Sequence, residues 1–323
     1  MKKISLLALL AAFPALAAIG NGGGLPVEMV RVDGGVFYLG RELGAGGSGD
    51  VTPVSRVTVG GFYIGRYPVT QAQFYEVMGV NPSWFTAARG RPPAAGEADA
   101  RRPVEMVSWH EAVIFSNRLS MLKGLDPAYS IDGQTDPDIW ILTHGLPPAG
   151  LESAPASRWN FVQVVEGAAG YRLPTEAQWE FAAKGGLYAG AYTFAGSNTI
   201  GEVAWHSGNS GGRTREAGIL QANPLGIYDM SGNVWEWVWD WWGPYTARDK
   251  TDPAGPPSGP GRVFRGGCWL FSVTSVRAVD RFYTPANSRA SVLGFRVARP
   301  DSGSGAQANR ALDYSPETGY NPY

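Results

Sequence analysis

The chain has 323 residues and a formal net charge of -1, a length that suits one large domain or two modest ones. So balanced a charge favours neither a nucleic-acid partner nor an anionic membrane surface. Only 17% of the residues are charged, whereas the chain holds 44 glycines, 24 prolines and 12 tryptophans. This composition predicts a loop-rich fold packed through aromatic side chains and excludes a wholly disordered chain.

Residues 1–18 have the pattern of a secretory signal peptide. Lys2 and Lys3 precede an apolar run, which ends in small residues at positions 15–17. The apolar run is too short to span a bilayer, and the alternative is a buried N-terminal helix. We therefore expect cleavage after residue 17 or 18 and an exported protein, either secreted or at the cell surface of a bacterium.

Cys268 is the single cysteine of the chain. An exported protein with one cysteine cannot form a disulfide within the chain, so its stability must come from packing or from a bound metal. No further apolar stretch is long enough for a transmembrane helix.

Short strands are predicted near the N-terminus of the mature chain. Residues 27–40 contain two apolar runs that turn at Asp33-Gly34-Gly35, and residues 54–67 alternate like a strand pair with Gly60-Gly61 at the turn.

Three segments share the signature of a helix start, a Ser or Thr followed three residues later by Glu or Gln. Each such pair forms a capping box, in which the two side chains satisfy backbone donors of the first turn. The third helix should end at Lys184 and Gly185, a cation and a glycine typical of a helix C-terminus. The pairs are Thr70 with Gln73, Ser108 with Glu111, and Thr175 with Gln178.

The remaining segments lack the apolar periodicity of an independent core. Residues 81–103 and 124–168 are rich in Pro, Gly and Ala and are predicted to be loops or insertions. Residues 243–261 should form an irregular loop, and residues 300–323 a polar C-terminal tail.

Four segments together resemble one known family. They are residues 30–40, 171–186 (with YRLPTEAQWE), 225–242 (with GNVWEW) and 262–299. Their order and spacing are similar to the formylglycine-generating, or sulfatase-modifying-factor, family across residues 27–299. The resemblance implies a single domain with an α+β, C-type-lectin-like fold, which is loop-rich with a small twisted antiparallel sheet and a few helices. We expect a monomer.

Residues 235–242 hold five tryptophans, four of which alternate as in an extended strand. Most of them are interpreted as core, because tryptophan supplies a large apolar area to a fold with little regular structure. A carbohydrate platform is the alternative interpretation.

The resemblance also implies a structural calcium site at Asp229, Gly232, Val234 and Glu236. The two carboxylates and the backbone carbonyls of the other two residues are the hard oxygen ligands that calcium prefers. Asp229 stands where the family has Asn. The alternative is that Asp229 and Glu236 only cap a turn.

The catalytic cysteines of the resembled enzymes are missing. Those enzymes oxidise a substrate cysteine with two thiolates that bind copper(I), a soft metal. The matching positions here hold Phe271 and Val276, and Cys268 lies too early and has no partner cysteine. The sequence therefore predicts that the chain is not an enzyme.

The segment 262–299 keeps a frame of Gly, Arg and Trp residues, but chemically mixed residues stand between them. They follow neither a strand nor a helix period. This arrangement resembles the variable region of proteins that retroelements diversify on a C-type-lectin scaffold, the treponemal kind included. Ordinary packing is the alternative. The predicted ligand-binding residues are Cys268, Leu270, Phe271, Val273, Ser275, Asp280, Phe282, Tyr283, Ser291 and Val292.

The sequence thus predicts an exported, non-catalytic protein that binds an unknown protein or glycan through recognition loops on a rigid frame. Two other hypotheses remain open, namely an oxidase of the formylglycine-generating type and an accessory protein of an envelope enzyme. The interspersed arginines Arg277, Arg281 and Arg289 are expected to belong to the frame, where they would donate to loop carbonyls.

Overall fold

The computed structural model describes residues 26–41, 51–150 and 157–301. The predicted signal peptide and the tail beyond residue 301 lie outside the described residues. No helix in the described ranges combines the length and apolar character needed to cross a membrane.

The three predicted helices are present, and each begins with its capping box. Thr70, Ser108 and Thr175 each accept a hydrogen bond from the backbone N–H three residues later, and the side chain of that later residue accepts from the capping backbone. The third helix ends at Gly185 in the left-handed conformation, as predicted. The α-helices of the described residues are α1 Gln71–Met78, α2 Trp109–Leu122, α3 Pro137–His144, α4 Glu176–Lys184 and α5 Ile200–Val203.

Helix α3 corrects the prediction that residues 124–168 form only loops. Asp136 caps this helix by accepting from the Asp138 N–H at 2.8 Å, and Pro137 fills its first position. Proline is favoured there, because its missing N–H would have no partner within the helix.

The strands are short. Those of the described residues are β1 Met29–Val32, β2 Gly35–Leu39, β3 Ser55–Val59, β4 Phe62–Gly65, β5 Tyr129–Ser130, β6 Gln163–Val164, β7 Ala204–Trp205, β8 Ser231–Gly232, β9 Trp235–Trp241, β10 Lys250–Thr251, β11 Arg262–Arg265, β12 Arg281–Thr284, β13 Leu293–Phe295 and β14 Ala298–Pro300.

The first four strands lie where the sequence predicts strands, but consecutive strands do not all pair. β2 pairs with β3, whereas β1 pairs with β4 in a second sheet that is completed by β14. The turn at Asp33-Gly34-Gly35 and the turn at Gly60-Gly61 therefore carry the chain from one sheet to the other. The prediction that residues 54–67 form two strands is confirmed, but the prediction that these strands pair with each other is wrong.

The four-stranded sheet has the order β12-β11-β9-β13. β11 is antiparallel to β9 and β12, whereas β13 is parallel to β9, so this sheet is mixed. β9 is the tryptophan-rich strand predicted from the sequence. β12 lies at the edge of the sheet.

The core consists of two large clusters of buried apolar residues, one around α2 and one around α4. β9 joins them, since Trp237 belongs to the first cluster and Val238 to the second. The α+β, loop-rich fold with few helices and small sheets is confirmed.

Candidate functional site

The connection between β11 and β12 carries most of the predicted variable residues, and it is closed tightly at both ends. Gly267 has φ +78°, and a Cβ on it would lie 2.4 Å from Val276 Cγ1, so only glycine fits. Val276 is fully buried in a small cluster with Phe194 and Val203. The loop 268–276 is therefore anchored where it starts and where it ends.

Hydrogen bonds from neighbouring segments hold the backbone of this loop. The Trp269 N–H donates to the Asn233 carbonyl at 2.9 Å, and the Ser207 N–H donates to the Phe271 carbonyl at 3.0 Å. The indole of Trp269 donates to the Ser291 carbonyl at 2.9 Å. This last bond ties the loop to the segment before β13.

Five of the predicted ligand-binding residues expose their side chains. Each is a large apolar residue on the loop 268–276 or on β12. We call these five residues the apolar patch: Leu270 (54% exposed), Phe271 (38%), Val273 (46%), Phe282 (41%) and Tyr283 (44%).

Aromatic contacts join the apolar patch to the sheet. Trp235 of β9 is 5.2 Å from Phe282 and 5.8 Å from Phe271, ring centre to ring centre, in edge-to-face geometry. Tyr283 lies against Trp242, with ring centres 4.6 Å apart. The exposed rings thus rest on buried or half-buried tryptophans, which fix their positions.

The other five predicted ligand-binding residues are less exposed than those of the apolar patch. Ser275, Ser291 and Val292 are half-buried. Cys268 is fully buried and Asp280 nearly so, and this burial corrects their assignment as ligand contacts. Burial raises the pKa of the Cys268 thiol to about 12, so it stays protonated and unreactive.

Arg281 and Arg289, two of the predicted frame residues, form ion pairs with carboxylates. Arg265 pairs with Glu180 and also donates to the backbone carbonyls of residues 278–280. Arg281 also donates to the Gly243 carbonyl at 2.9 Å, the kind of contact expected from the sequence. These carboxylates could have been found from the sequence, because the motifs that form α2, α4 and β9 each contain a glutamate. We call the following the frame pairs: Arg265 with Glu180, Arg281 with Glu176, Arg289 with Glu111, and Arg296 with Glu236.

The frame pair Arg296–Glu236 is the one that bears on the predicted calcium site. Arg296 Nε and Nη2 each donate to an oxygen of Glu236 at 2.6 Å, and the Trp179 indole donates to the same carboxylate at 2.7 Å. The charge of Glu236 is thus already balanced, and one oxygen has accepted two donors.

Asp229 is better suited than Glu236 to bind a hard cation. Its carboxylate is buried and accepts from the Gly218 N–H at 2.8 Å and from Asn233 Nδ2 at 3.2 Å, but no described Arg, Lys or His forms an ion pair with it. Burial raises its pKa to about 6. No group of three His, Cys, Asp or Glu in the described ranges could hold a metal. A cation here would therefore need the carbonyls of Gly232 and Val234.

Comparisons with known proteins identify the family of this chain. Residues 23–300 match the sulfatase-modifying factor enzyme 1-like domain. The chaperone protein LppX of Paenibacillus barcinonensis is 35% identical to this chain over 93% of the chain and 99% of the relative. The formylglycine-generating enzyme of Streptomyces coelicolor is 31% identical over 86% of the chain and 92% of the enzyme.

Among solved structures, Treponema denticola variable protein 1 is similar to the chain with a TM-score of 0.72 and 34% identity, over 84% of this chain and 94% of that protein. The chain therefore belongs to the sulfatase-modifying factor enzyme 1-like family.

Proposed function

We propose that this chain is an exported, non-catalytic binding protein that holds a protein or glycan ligand on the apolar patch. The observation that carries the proposal is the patch itself, five large apolar side chains exposed on an anchored loop and an edge strand, of which Phe271 and Phe282 share the support of Trp235. Large exposed apolar groups on a soluble domain mark interaction sites, and aromatic anchors contribute most of the energy at such sites.

The absence of the thiolate pair supports a non-catalytic role. The chain has one cysteine, and that cysteine is buried. Copper(I) chemistry of the formylglycine-generating type needs two reachable thiolates. Likeness to a variable protein with the same fold supports a binding role for the segment that replaces them.

Sister copies of the gene test the idea that the patch is diversified. We expect sequence differences to concentrate at Leu270, Phe271, Val273, Phe282 and Tyr283, while the frame pairs and Trp269 stay fixed. A scatter of differences without regard to exposure would refute diversification.

A direct assay tests the oxidase alternative. The protein is incubated with copper(I) and a peptide that carries a sulfatase-type cysteine, and the peptide is weighed by mass spectrometry. We expect no loss of mass that corresponds to oxidation of cysteine to formylglycine. Clear turnover would overturn the non-catalytic proposal.

Calcium at Asp229, Gly232, Val234 and Glu236 is proposed as a structural ion. A bound ion would neutralise Asp229 and tie the turn before β9 to the sheet. Removal of calcium with EDTA should lower the thermal midpoint of the protein, and an Asp229→Ala variant, which has no side-chain oxygen to offer, should lose this response. An unchanged midpoint of the parent protein would refute calcium.

An accessory role is the second candidate, and the similarity to chaperone protein LppX over nearly its whole length favours it. A chaperone would use the same patch to hold unfolded clients. Aggregation of heated citrate synthase with and without the protein tests this role. Suppression that disappears in a Leu270→Ser, Phe282→Ser variant would favour a chaperone, whereas no suppression would favour the selective binding protein.

A further inference from the structure

A cavity of about 300 Å³ lies beside the start of α4, apart from the apolar patch. Arg281 of β12 lines it, and successive side chains of a strand point to opposite faces, so the cavity lies on the face opposite Phe282. Its apolar wall includes Pro244, Tyr245, Pro253 and Pro256, and its polar groups include Asp240 and Lys250.

Two of the charged groups at this cavity neutralise each other. Arg281 Nε and Nη2 donate to the two oxygens of Glu176 at 2.7 and 2.8 Å, and the Tyr245 hydroxyl donates to Glu176 at 3.0 Å. This frame pair is saturated and leaves no charge to attract a ligand.

Lys250 and Asp240 are the charged groups at the cavity that do not belong to this frame pair. The Lys250 ammonium is half-buried and has no hydrogen bond or ion pair with any described residue, and burial lowers its pKa. Asp240 is nearly fully buried and accepts the Glu176 N–H at 2.7 Å, and it forms no ion pair within the described part of the chain. Burial and the neighbouring charge of Glu176 raise the pKa of Asp240 to about 7.

The cavity thus presents one cation and one carboxyl group that do not contact each other. Partly buried charges without partners are costly, and a ligand that supplies both opposite charges removes that cost. A cavity of this size is at the lower end of those that bind small molecules, and it has their usual form of apolar walls with a few converging polar groups.

We propose that this cavity binds a small zwitterion of the α-amino acid class, with the ligand carboxylate on Lys250 and the ligand ammonium on Asp240. The prolines and Tyr245 receive the ligand side chain. The cavity consists of residues outside the predicted variable set, so the proposal goes beyond the function of the apolar patch and does not depend on it.

The cavity and the patch are nevertheless linked through Trp242. Tyr283 of the patch lies against Trp242, and the Trp242 ring lies 4.0 Å from the Arg281 guanidinium. A residue exchanged at position 283 would therefore touch Trp242, which packs against a residue that lines the cavity.

Calorimetric titration of the full chain tests the proposal. The probes are leucine, phenylalanine, serine, glutamate and arginine, together with two analogues of leucine: isocaproate, which lacks the ammonium group, and isoamylamine, which lacks the carboxylate. We expect at least one amino acid to bind. If leucine binds, each analogue should bind at least about tenfold more weakly, because each loses one charged hydrogen bond. If a different amino acid binds instead, its own deaminated and decarboxylated analogues take the place of the leucine analogues.

Variants locate the binding. Lys250→Met and Asp240→Asn should each weaken binding about tenfold or more, whereas Lys123→Met, at an exposed lysine of α2's end, should leave it unchanged. A melting scan shows whether each variant is folded, and Lys250→Met alone decides if Asp240→Asn does not fold. The proposal is overturned if no amino acid binds, if the deaminated analogue binds as tightly as its parent, or if Lys250→Met has no effect.

Discussion

Arg281 and Phe282 are consecutive residues of β12 with opposite surroundings. Arg281 is buried in its frame pair with Glu176, whereas Phe282 is exposed in the apolar patch. Because side chains alternate along a strand, one short element serves both regions. The frame pairs are buried charged groups, and each loses its charged partner if the other is replaced. The residues of the patch are exposed apolar side chains, which only pack against the sheet beneath them. The two regions should therefore respond very differently to substitution.

The largest effect is expected at the frame pair Arg296–Glu236, whose side chains are both fully buried. Arg296→Ala would leave Glu236 charged and buried without a cationic partner, which should lower the free energy of unfolding by about 3–5 kcal/mol. Urea denaturation measures the change. Arg56→Ala is the matched control, because the ion pair Arg56–Asp249 is exposed and should contribute no more than about 1 kcal/mol. Equal losses in the two variants would contradict the importance of burial.

A pH effect of intermediate size should come from buried carboxyls without a saturating partner. Burial raises the pKa of both Asp240 and Glu105 to about 7, above their values in an unfolded chain. Asp240 faces Glu176, Arg281 and Arg262. Between about pH 4 and pH 7 the folded protein binds more protons than the unfolded chain, so the free energy of unfolding should fall as pH rises, with the contribution lost above about pH 7.

Urea denaturation across that pH range measures this fall. Asp240→Asn should reduce its slope but not abolish it, since Glu105 still titrates. Each pKa unit of difference between the two states corresponds to about 1.4 kcal/mol. An unchanged slope in the variant would mean that Asp240 does not titrate in this range.

A smaller loss is expected at the helix caps, which also belong to the frame. Thr175 Oγ1 accepts from the Gln178 N–H at 3.2 Å, and Thr175→Ala should lower the free energy of unfolding by about 1 kcal/mol. Thr274→Ala, on the exposed loop, is the matched control and should change it by less than about 0.5 kcal/mol. A similar loss from both would mean that the cap at α4 contributes no more than a hydroxyl on an exposed loop.

The smallest effect is expected in the apolar patch. Leu270→Ser and Val273→Ser should each change the free energy of unfolding by no more than about 0.5 kcal/mol, because both side chains remain about half in contact with solvent. A loss of several kcal/mol would show that the patch is part of the core and would remove the contrast with the frame.

Local patterns in the sequence were sufficient to locate the three capped helices, the short N-terminal strands and β9. A capping box is a local arrangement, so its residues can be read directly from the chain. Helix α3 was missed although Asp136 and Pro137 give the same kind of local signal. The surrounding Pro, Gly and Ala residues obscured it.

Strand pairing could not be predicted in the same way. Ile64 of β4 pairs with Val30 and with Ala298, which lies more than two hundred residues away along the chain. Such long-range contacts leave no periodic trace in the sequence.

The candidate site was predicted in part. The positions of the apolar patch could be found because chemically mixed residues interrupt a recognisable frame. The burial of Cys268 and Asp280 could not, because it depends on the Gly267 turn and on the packing of Val276 against Phe194. The cavity at Lys250 joins residues from four separate segments and has no sequence motif.

Because the loop 268–276 is anchored at both ends, little backbone entropy is left for it to lose when a ligand binds. Gly267 and Val276 fix its ends, and Ser210 Oγ adds a hydrogen bond to the Trp269 carbonyl at 2.9 Å. A ligand that docks on Phe271 or Phe282 would therefore need to immobilise a few side chains, at about 0.5–1.5 kcal/mol each, and no mobile loop. Exchanging the exposed residues would change which ligand fits while leaving this cost almost constant.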